Sequence, residues 1–146
     1  EVFIRWAQLG AFCPVMENGG GGEHRPWMFA DPATDVYRRF VLIHHALIPY
    51  LMEHGARAFE RGASLMTFLD EEDYHYLLGP DILVAPMLEE GTRRTVTFPE
   101  GSDWAYLFDT SLVYHGGTQT DLHVPYEEFP AFFRQGSEIE SSFELP

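Results

Sequence analysis

The first part of the chain combines a helical pattern with a short continuous apolar run. Several residues in positions 1–12 fall on one loosely helical face, which predicts a helix: Val2, Ile4 or Arg5, Leu9 and Phe12. Residues 11–16 (AFCPVM) are apolar throughout, which is typical of a strand buried on both faces of a parallel sheet. Because residues 1–62 hold no other strand to pair with it, we expect the missing strands in a preceding part of a longer protein.

A Gly-rich loop and a long helix follow. Residues 17–27 (ENGGGGEHRPW) are polar and contain consecutive glycines, which allow a ligand to approach the backbone closely. Asp31 and Pro32 have the pattern of a helix N-cap followed by Pro at the first helical position. Apolar residues then recur at helical spacing, so residues 32–61 are predicted to form one helix that ends at Gly62 and is kinked by its internal proline.

The pattern changes after Gly62 to short β-type runs separated by turn residues. The predicted strands are 64–69, 82–87, 93–98, 104–108, 112–114, 122–124 and 131–134. Turn signals such as Gly79-Pro80 and Gly116-Gly117 separate them, and the acidic run 70–73 is predicted to be a solvated turn. This spacing predicts an antiparallel β-sandwich over residues 63–146, distinct from the α/β segment over residues 1–62.

Composition and charge narrow the class of partner. The chain has 146 residues, of which 45% are hydrophobic and 15% aromatic, and its net charge is −14. Such an acidic chain is a poor ligand for nucleic acid or an anionic membrane, so neither is expected as a partner. No apolar run approaches the ~20 residues that span a bilayer. The single cysteine, Cys13, rules out an internal disulfide, and the chain begins at Glu1 without a methionine, as a piece of a longer protein would.

The loop at 17–27 holds the candidate chemistry. A loop between a buried barrel strand and the next helix lies on the face where barrel enzymes carry their active sites. Within it, His24 and Arg25 can donate hydrogen bonds to sugar hydroxyls, and Trp27 can stack on a sugar ring, although the same residues suit a solvated capping loop. The glycines lack the Lys-Ser/Thr of a phosphate loop, and the histidines lack metal-ligand spacing. No metal or cofactor is therefore expected.

Several motifs in register resemble glycoside hydrolase family 31. Residues 1–17 are similar to the family's helix and last barrel strand, E-L-x-x-R-W-x-Q-x-G-A-F followed by P-x-M-R. The helix pattern Y-R…L-x-P-Y corresponds to residues 37–50, and G-x-x-x-L-V-A-P to residues 79–86. R-x-V-x-L-P-x-G-x-W corresponds to residues 94–104, with one additional residue before Trp104, and P-x-F-x-R-x-G-S-x-I corresponds to residues 130–139. The resemblance covers nearly the whole chain.

This resemblance implies the last helix–strand–helix of a (β/α)₈ barrel followed by a β-sandwich, in a retaining α-glycosidase. The family's two catalytic aspartates precede the segment present here, so the resemblance assigns no catalytic residue to this chain. The family usually continues M-R-x-H-G after its last strand, and that His contacts the sugar. Here Glu17 stands at the Arg position and Gly19 at the His position, so the family pattern does not assign a sugar-contacting residue or a substrate preference at these positions.

We therefore expect a fragment of an α-glucosidase-like enzyme that acts on a carbohydrate and depends on an N-terminal part of the same protein. A non-catalytic carbohydrate-binding module is the main alternative, because an aromatic β-sandwich can bind sugars unaided. A purely structural β-sandwich that braces a barrel is the third reading. The nature of the upstream sequence separates the enzyme from the other two.

Overall fold

The computed structural model describes residues 1–69 and 73–146, and most of the predicted acidic turn, residues 70–72, lies outside them. Within the described part, the helices are α1 (Val2–Ala11), α2 (Ala33–Arg61) and α3 (Glu138–Ser142), with a short 3₁₀ helix at Pro26–Met28. The strands are β1 (Met66–Phe68), β2 (Tyr76–Leu78), β3 (Ile82–Val84), β4 (Arg93–Thr97), β5 (Trp104–Tyr106), β6 (Asp109–Tyr114), β7 (Gln119–His123) and β8 (Ala131–Arg134). No helix in these ranges is both long and apolar enough to cross a membrane.

The predicted strand at residues 11–16 is wrong for this chain. Helix α1 ends at Ala11, and the N–H groups of Phe12 and Cys13 donate back to Leu9 O and Gly10 O at 3.0 and 3.1 Å. The segment therefore closes a turn instead of extending. A buried parallel strand needs backbone partners on both sides, and no described residue supplies them here.

Helix α2 matches its prediction closely and ends as expected. Gly62 adopts φ +62°, and its N–H donates to the carbonyls of the last helical turn, which is the usual left-handed helix end. Its first turn differs from the prediction, because Pro32 and not Asp31 is the N-cap residue. Pro49 lies inside the helix as predicted; the kink itself stays a prediction.

The predicted antiparallel sandwich is present. Six strands form one sheet in the order β1-β2-β3-β8-β5-β6, and β4 pairs with β7 in a second sheet. Strand β2, at Tyr76–Leu78, was not predicted, and it pairs with both β1 and β3. The tight turn between β2 and β3 requires Gly79, which has φ +60° and leaves no room for a Cβ beside the Tyr50 ring.

The central strands β3, β8 and β5 of the six-stranded sheet are covered on both faces. In β3, Ile82 and Val84 face one core while Leu83 faces the other, as the two-residue period of a strand dictates. The face that carries Leu83, Phe132 and Trp104 packs against Val96 and Phe98. Burial on both faces explains why these strands are continuously apolar instead of alternating.

The other face of the sheet shares its core with the helices. Phe40, Ile43 and Leu47 of α2 are fully buried in the same cluster as Ile82 and Val84 of β3. The ring of Phe12 stacks on Phe129 with the centroids 5.5 Å apart. Hydrogen bonds from a side chain to the backbone add to this packing. Tyr50 Oη donates to Leu78 O at 3.0 Å and also accepts from Asp81 N–H at 3.0 Å.

We predict that Trp104→Ala destabilises the protein by about 3–5 kcal/mol. Trp104 is completely buried in the core that contains Leu83 and Phe132, and its removal leaves a cavity. Urea unfolding followed by circular dichroism measures the change. Leu112→Ala, in strand β6 where the side chain is 47% exposed, is the matched control and should change the free energy of unfolding by less than about 1 kcal/mol. Equal effects of the two substitutions would contradict the assignment of Trp104 to the core.

Candidate functional site

The loop that joins α1 to α2 is held in shape by its own polar groups. Asn18 Nδ2 donates to His24 O at 2.9 Å across the base of the Gly-rich segment. His24 Nε2 lies 3.3 Å from Gly21 O and donates to it in the tautomer that carries the Nε2 proton. Gly20 and Gly22 have φ of +116° and +106°, which explains why glycines occupy this turn. The loop is therefore solvent-exposed but internally bonded.

Arg25 is engaged by its neighbour Glu23. The guanidinium donates through Nε and Nη2 to the two carboxylate oxygens of Glu23, at 2.8 and 2.6 Å, and the Arg25 N–H donates to the same carboxylate at 2.9 Å. This hydrogen bonding to Arg25 lowers the pKa of Glu23 to about 2. Glu23 is therefore ionised at neutral pH and a poor proton donor, so it is not suited to act as a general acid.

Trp27 presents its ring to solvent. It lies in the 3₁₀ helix that begins at the buried Pro26, and its side chain is 66% exposed. Beyond this helix, Phe29 stacks on Phe3 at 4.4 Å, and Phe3 in turn stacks on Tyr37 at 5.7 Å. These ring contacts fix the end of the loop against both helices, so the exposed face of Trp27 is a supported platform of the kind that binds a sugar ring.

The three residues predicted to bind substrate lie together. His24, Arg25 and Trp27 line one groove of about 560 Å³ with Asn18, Tyr37 and Arg38. A second recess of about 460 Å³ shares Asn18, His24 and Tyr37 with this groove and adds Glu17 and Gly19. His24 therefore lies between the groove and the two positions at which the chain departs from the family pattern.

The sequence did not identify the contribution of α2 to this groove. Tyr37 and Arg38 were assigned to a helix and to the Y-R of the family's helix pattern but not to the site, yet the first turns of α2 form one wall of the groove. Arg38 is paired with Asp35 at 2.9 Å and remains 65% exposed. The signal in the sequence was their match to the Y-R of the family's helix pattern, which by itself does not place them beside the loop. Among residues 1–69 and 73–146, no three His, Cys, Asp or Glu side chains are grouped as a metal site.

Comparisons of this chain with family models and with known proteins all indicate the same family. Residues 1–54 match the model of the glycosyl hydrolases family 31 TIM-barrel domain, and residues 59–139 match that of the glycosyl hydrolase family 31 C-terminal domain. The chain is 30% identical over 165 residues to alpha-glucosidase 2 of Bacillus thermoamyloliquefaciens, covering all of this chain and 21% of that protein. It is also 30% identical over 168 residues to a 1,3-alpha-isomaltosidase of Kribbella flavida, covering 98% of this chain and 23% of that protein.

A solved structure of an enzyme from the same family superposes on this chain. An alpha-xylosidase of the same family from a soil metagenome, complexed with xylose, superposes with a TM-score of 0.83 at 29% identity, over 97% of this chain and 25% of that one. The chain thus belongs to glycoside hydrolase family 31 and spans about a fifth to a quarter of the length of these relatives. The predicted fold class, a barrel end followed by a β-sandwich, is confirmed by these matches.

We predict that the Glu23 carboxyl titrates near pH 2, because the Arg25 ion pair stabilises its charged form. Since the pKa in the folded state is lowered, the ion pair persists above the ordinary pKa of 4.5 and is lost as the pH falls through about 2. NMR titration of the side-chain carboxyl measures this pKa. Arg25→Gln should return it towards 4.5, whereas Arg38→Gln, which removes the other paired arginine of the groove, should leave it unchanged.

Proposed function

We propose that this chain is part of a retaining α-glycosidase that hydrolyses α-linked glycosides, with an α-glucosidase-like preference. The observation that carries this proposal is the match of the chain to both the barrel and the C-terminal domain of one glycoside hydrolase family. Relatives named as an alpha-glucosidase and an isomaltosidase align over almost all of it. A carbohydrate is accordingly the proposed substrate, and the preceding part of the same protein the proposed partner.

In this proposal the chain supplies binding groups and not the reacting carboxylates. Trp27 stacks on a sugar ring, His24 donates to a hydroxyl, and Arg25 donates through the guanidinium N–H groups that do not bond Glu23. The two aspartates of the retaining mechanism, which must lie about 5–5.5 Å apart, come from the preceding part. The groove borders the recess formed by Glu17, Asn18 and Gly19, so a bound sugar would span both.

The proposed division into a barrel end at 1–62 and a β-domain at 63–146 places the boundary at the helix end. Gly62 terminates α2, and the strands begin at Met66. The two parts nevertheless share one hydrophobic core, since Phe40 and Leu47 of α2 pack in the same cluster as Val84 and Phe133 of the sheet. We propose that they fold as one unit in this chain even though they belong to different domains of the longer protein.

The alternative of a sugar-binding sandwich is less well supported. The only tryptophan in residues 63–146 is Trp104, and it is fully buried, so it cannot serve as a stacking platform. The exposed tryptophans, Trp6 and Trp27, both lie in residues 1–62. Sugar contact is thus favoured on the barrel part of the chain.

Purified residues 1–146 should not hydrolyse aryl α-glycosides, because without the two aspartates the covalent route is closed. The measurement is release of the aryl leaving group at high protein concentration. The preceding part of the gene, expressed together with this chain, is the positive control. Turnover by residues 1–146 at an ordinary enzymatic rate, above about 1 per second, would overturn the proposed division of roles.

In the longer protein, we expect His24→Ala and Arg25→Ala each to reduce kcat/KM by ~10- to 1000-fold, equivalent to ~1.4–4 kcal/mol, because both remove donors to the sugar. Steady-state kinetics and the thermal midpoint are measured for each variant. Arg57→Ala is the matched control: Arg57 is 55% exposed and paired with Glu53, as Arg25 is 57% exposed and paired with Glu23. Lost stability with preserved kcat/KM would show that the loop is structural and that these site residues are wrongly assigned.

A further inference from the structure

The groove beside the Gly-rich loop is lined by two arginines, and each is held in an ion pair. Arg25 Nη2 lies 2.6 Å from Glu23 Oε2, and Arg38 Nη1 lies 2.9 Å from Asp35 Oδ1. The hydrogen bonds from Arg25 lower the pKa of Glu23 to about 2, so this carboxylate is charged at neutral pH. Each guanidinium of the groove is therefore balanced by a carboxylate beside it.

The start of helix α2 is balanced in the same way. Thr34 and Tyr37, which belong to its first turns, line the groove. The free N–H groups at the start of a helix carry a partial positive charge, which favours a bound anion. Asp35 lies in this first turn, so it offsets the helix charge and also pairs with Arg38. The helix start therefore leaves no excess of positive charge at this wall of the groove.

The adjoining recess adds a further carboxylate. Glu17 lines this recess, which shares Asn18 and His24 with the groove. Glu17 is exposed, and within residues 1–69 and 73–146 no arginine or histidine forms an ion pair with it. Because the two arginines of the groove are already balanced, Glu17 gives the combined site a net negative charge when His24 is uncharged. Such a charge repels an anion, and salt screens the repulsion.

An uncharged sugar still finds binding groups in the groove. Glu23 bonds to Nε and Nη2 of Arg25, so the Nη1 hydrogens of Arg25 can donate to a hydroxyl. The ring of Trp27 is 66% exposed and can stack on the face of a sugar ring. Neither contact requires a charge on the ligand. The groove thus offers hydrogen-bond donors and an aromatic platform without an unbalanced guanidinium.

We propose that Glu17, Glu23 and Asp35 determine the charge of the accepted substrate: the site selects an uncharged glycosyl residue and rejects one that carries a carboxylate or a phosphate. This inference rests on the proposed function, which supplies the sugar, and it names the charge class of that sugar. Glu23 and Asp35 are positioning residues, because they act through the arginines with which they pair. Glu17 acts on the ligand through its own charge. A guanidinium without its carboxylate would instead bind an anionic substituent through charge-assisted hydrogen bonds.

The test measures the Kd of two sugars for the longer protein that contains this chain. Methyl α-glucoside and methyl α-glucuronide differ in a single ring substituent, which is a hydroxymethyl group in the first and a carboxylate in the second. NMR titration at a pH of about 8 keeps histidine uncharged. In about 20 mM salt we expect the glucoside to bind about 3- to 5-fold more tightly, and in about 500 mM salt we expect this ratio to fall towards 1, because the repulsion is screened.

Glu23→Gln keeps the size of the side chain and releases the charge of Arg25. We expect it to tighten the binding of the glucuronide by about 5- to 10-fold and to change that of the glucoside by less than about 2-fold. Glu53→Gln is the matched control, because Glu53 pairs with Arg57 at a similar exposure but outside the groove. It should change the Kd of either sugar by less than about 2-fold.

Glu17→Gln gives a second test that leaves the loop intact. Glu17 takes no part in the pairs Asn18–His24 and Glu23–Arg25 that hold the loop in shape. We expect this variant to tighten the binding of the glucuronide by about 2- to 5-fold at low salt, with the glucoside unchanged. An unchanged Kd of the glucuronide would overturn the role of Glu17 even if Glu23→Gln disturbed the loop.

Three other results contradict the proposal. Equal affinity of the wild-type protein for both sugars at low salt shows that the site does not select by charge. An equal change in both affinities on Glu23→Gln shows that Glu23 only shapes the loop. A gain in glucuronide binding on Glu53→Gln as large as that on Glu23→Gln assigns the effect to the net charge of the protein and not to the groove.

The readout is binding, so it separates this inference from the proposed function. A protein that prefers the glucoside and responds to Glu23→Gln as expected, but hydrolyses no α-glycoside, supports the charge selection and contradicts the proposed function. A protein that hydrolyses aryl α-glucosides but binds the glucuronide equally well supports the proposed function and contradicts the charge selection. Binding of neither sugar overturns both.

Discussion

The packing of helix α2 on the six-stranded sheet is the contact on which most of the structure depends. Phe40, Ile43 and Leu47 are completely buried against it, and Phe12 enters the same cluster from the end of α1. Burial of each such side chain stabilises the fold by roughly 1.5–3 kcal/mol, and the Tyr50 hydroxyl ties α2 to the turn between β2 and β3. Both ends of the exposed loop at 17–27 are thereby anchored, since Phe12 precedes it and α2 follows it.

The sequence predicted those elements whose signal is local. The spacing of apolar residues predicted α2, and the glycine at position 62 predicted where the helix ends, since Gly62 adopts the left-handed conformation there. The continuous apolar runs at 82–87 and 131–134 predicted β3 and β8, because both faces of these strands are buried. His24, Arg25 and Trp27 were singled out by residue type, and their common groove agrees with that choice without testing their role.

The failures share a dependence on distant partners. Residues 11–16 have the composition of a buried strand, but a strand forms only where neighbours complete its hydrogen bonds, and here the backbone turns back on α1 instead. Strand β2 is short and exists because β1 and β3 pair with it. The burial of Arg5 could not be predicted, because the backbone carbonyls to which its guanidinium donates lie more than 80 positions away along the chain.

The groove lined by His24, Arg25 and Trp27 combines a fixed wall with a locally bonded loop. Its walls come from the anchored α2, but its donors belong to a loop whose shape depends on the local pairs Asn18–His24 and Glu23–Arg25. The Arg25 N–H groups that do not bond Glu23 can donate to a sugar hydroxyl, but a neutral hydroxyl is a weaker partner for a guanidinium than a carboxylate is, so a ligand needs a second contact. Stacking on Trp27 supplies such a second contact. Under the proposed function, recognition in this groove depends on the ring platform and the donors acting together, and the packing of α2 on the sheet holds one wall of the groove in place.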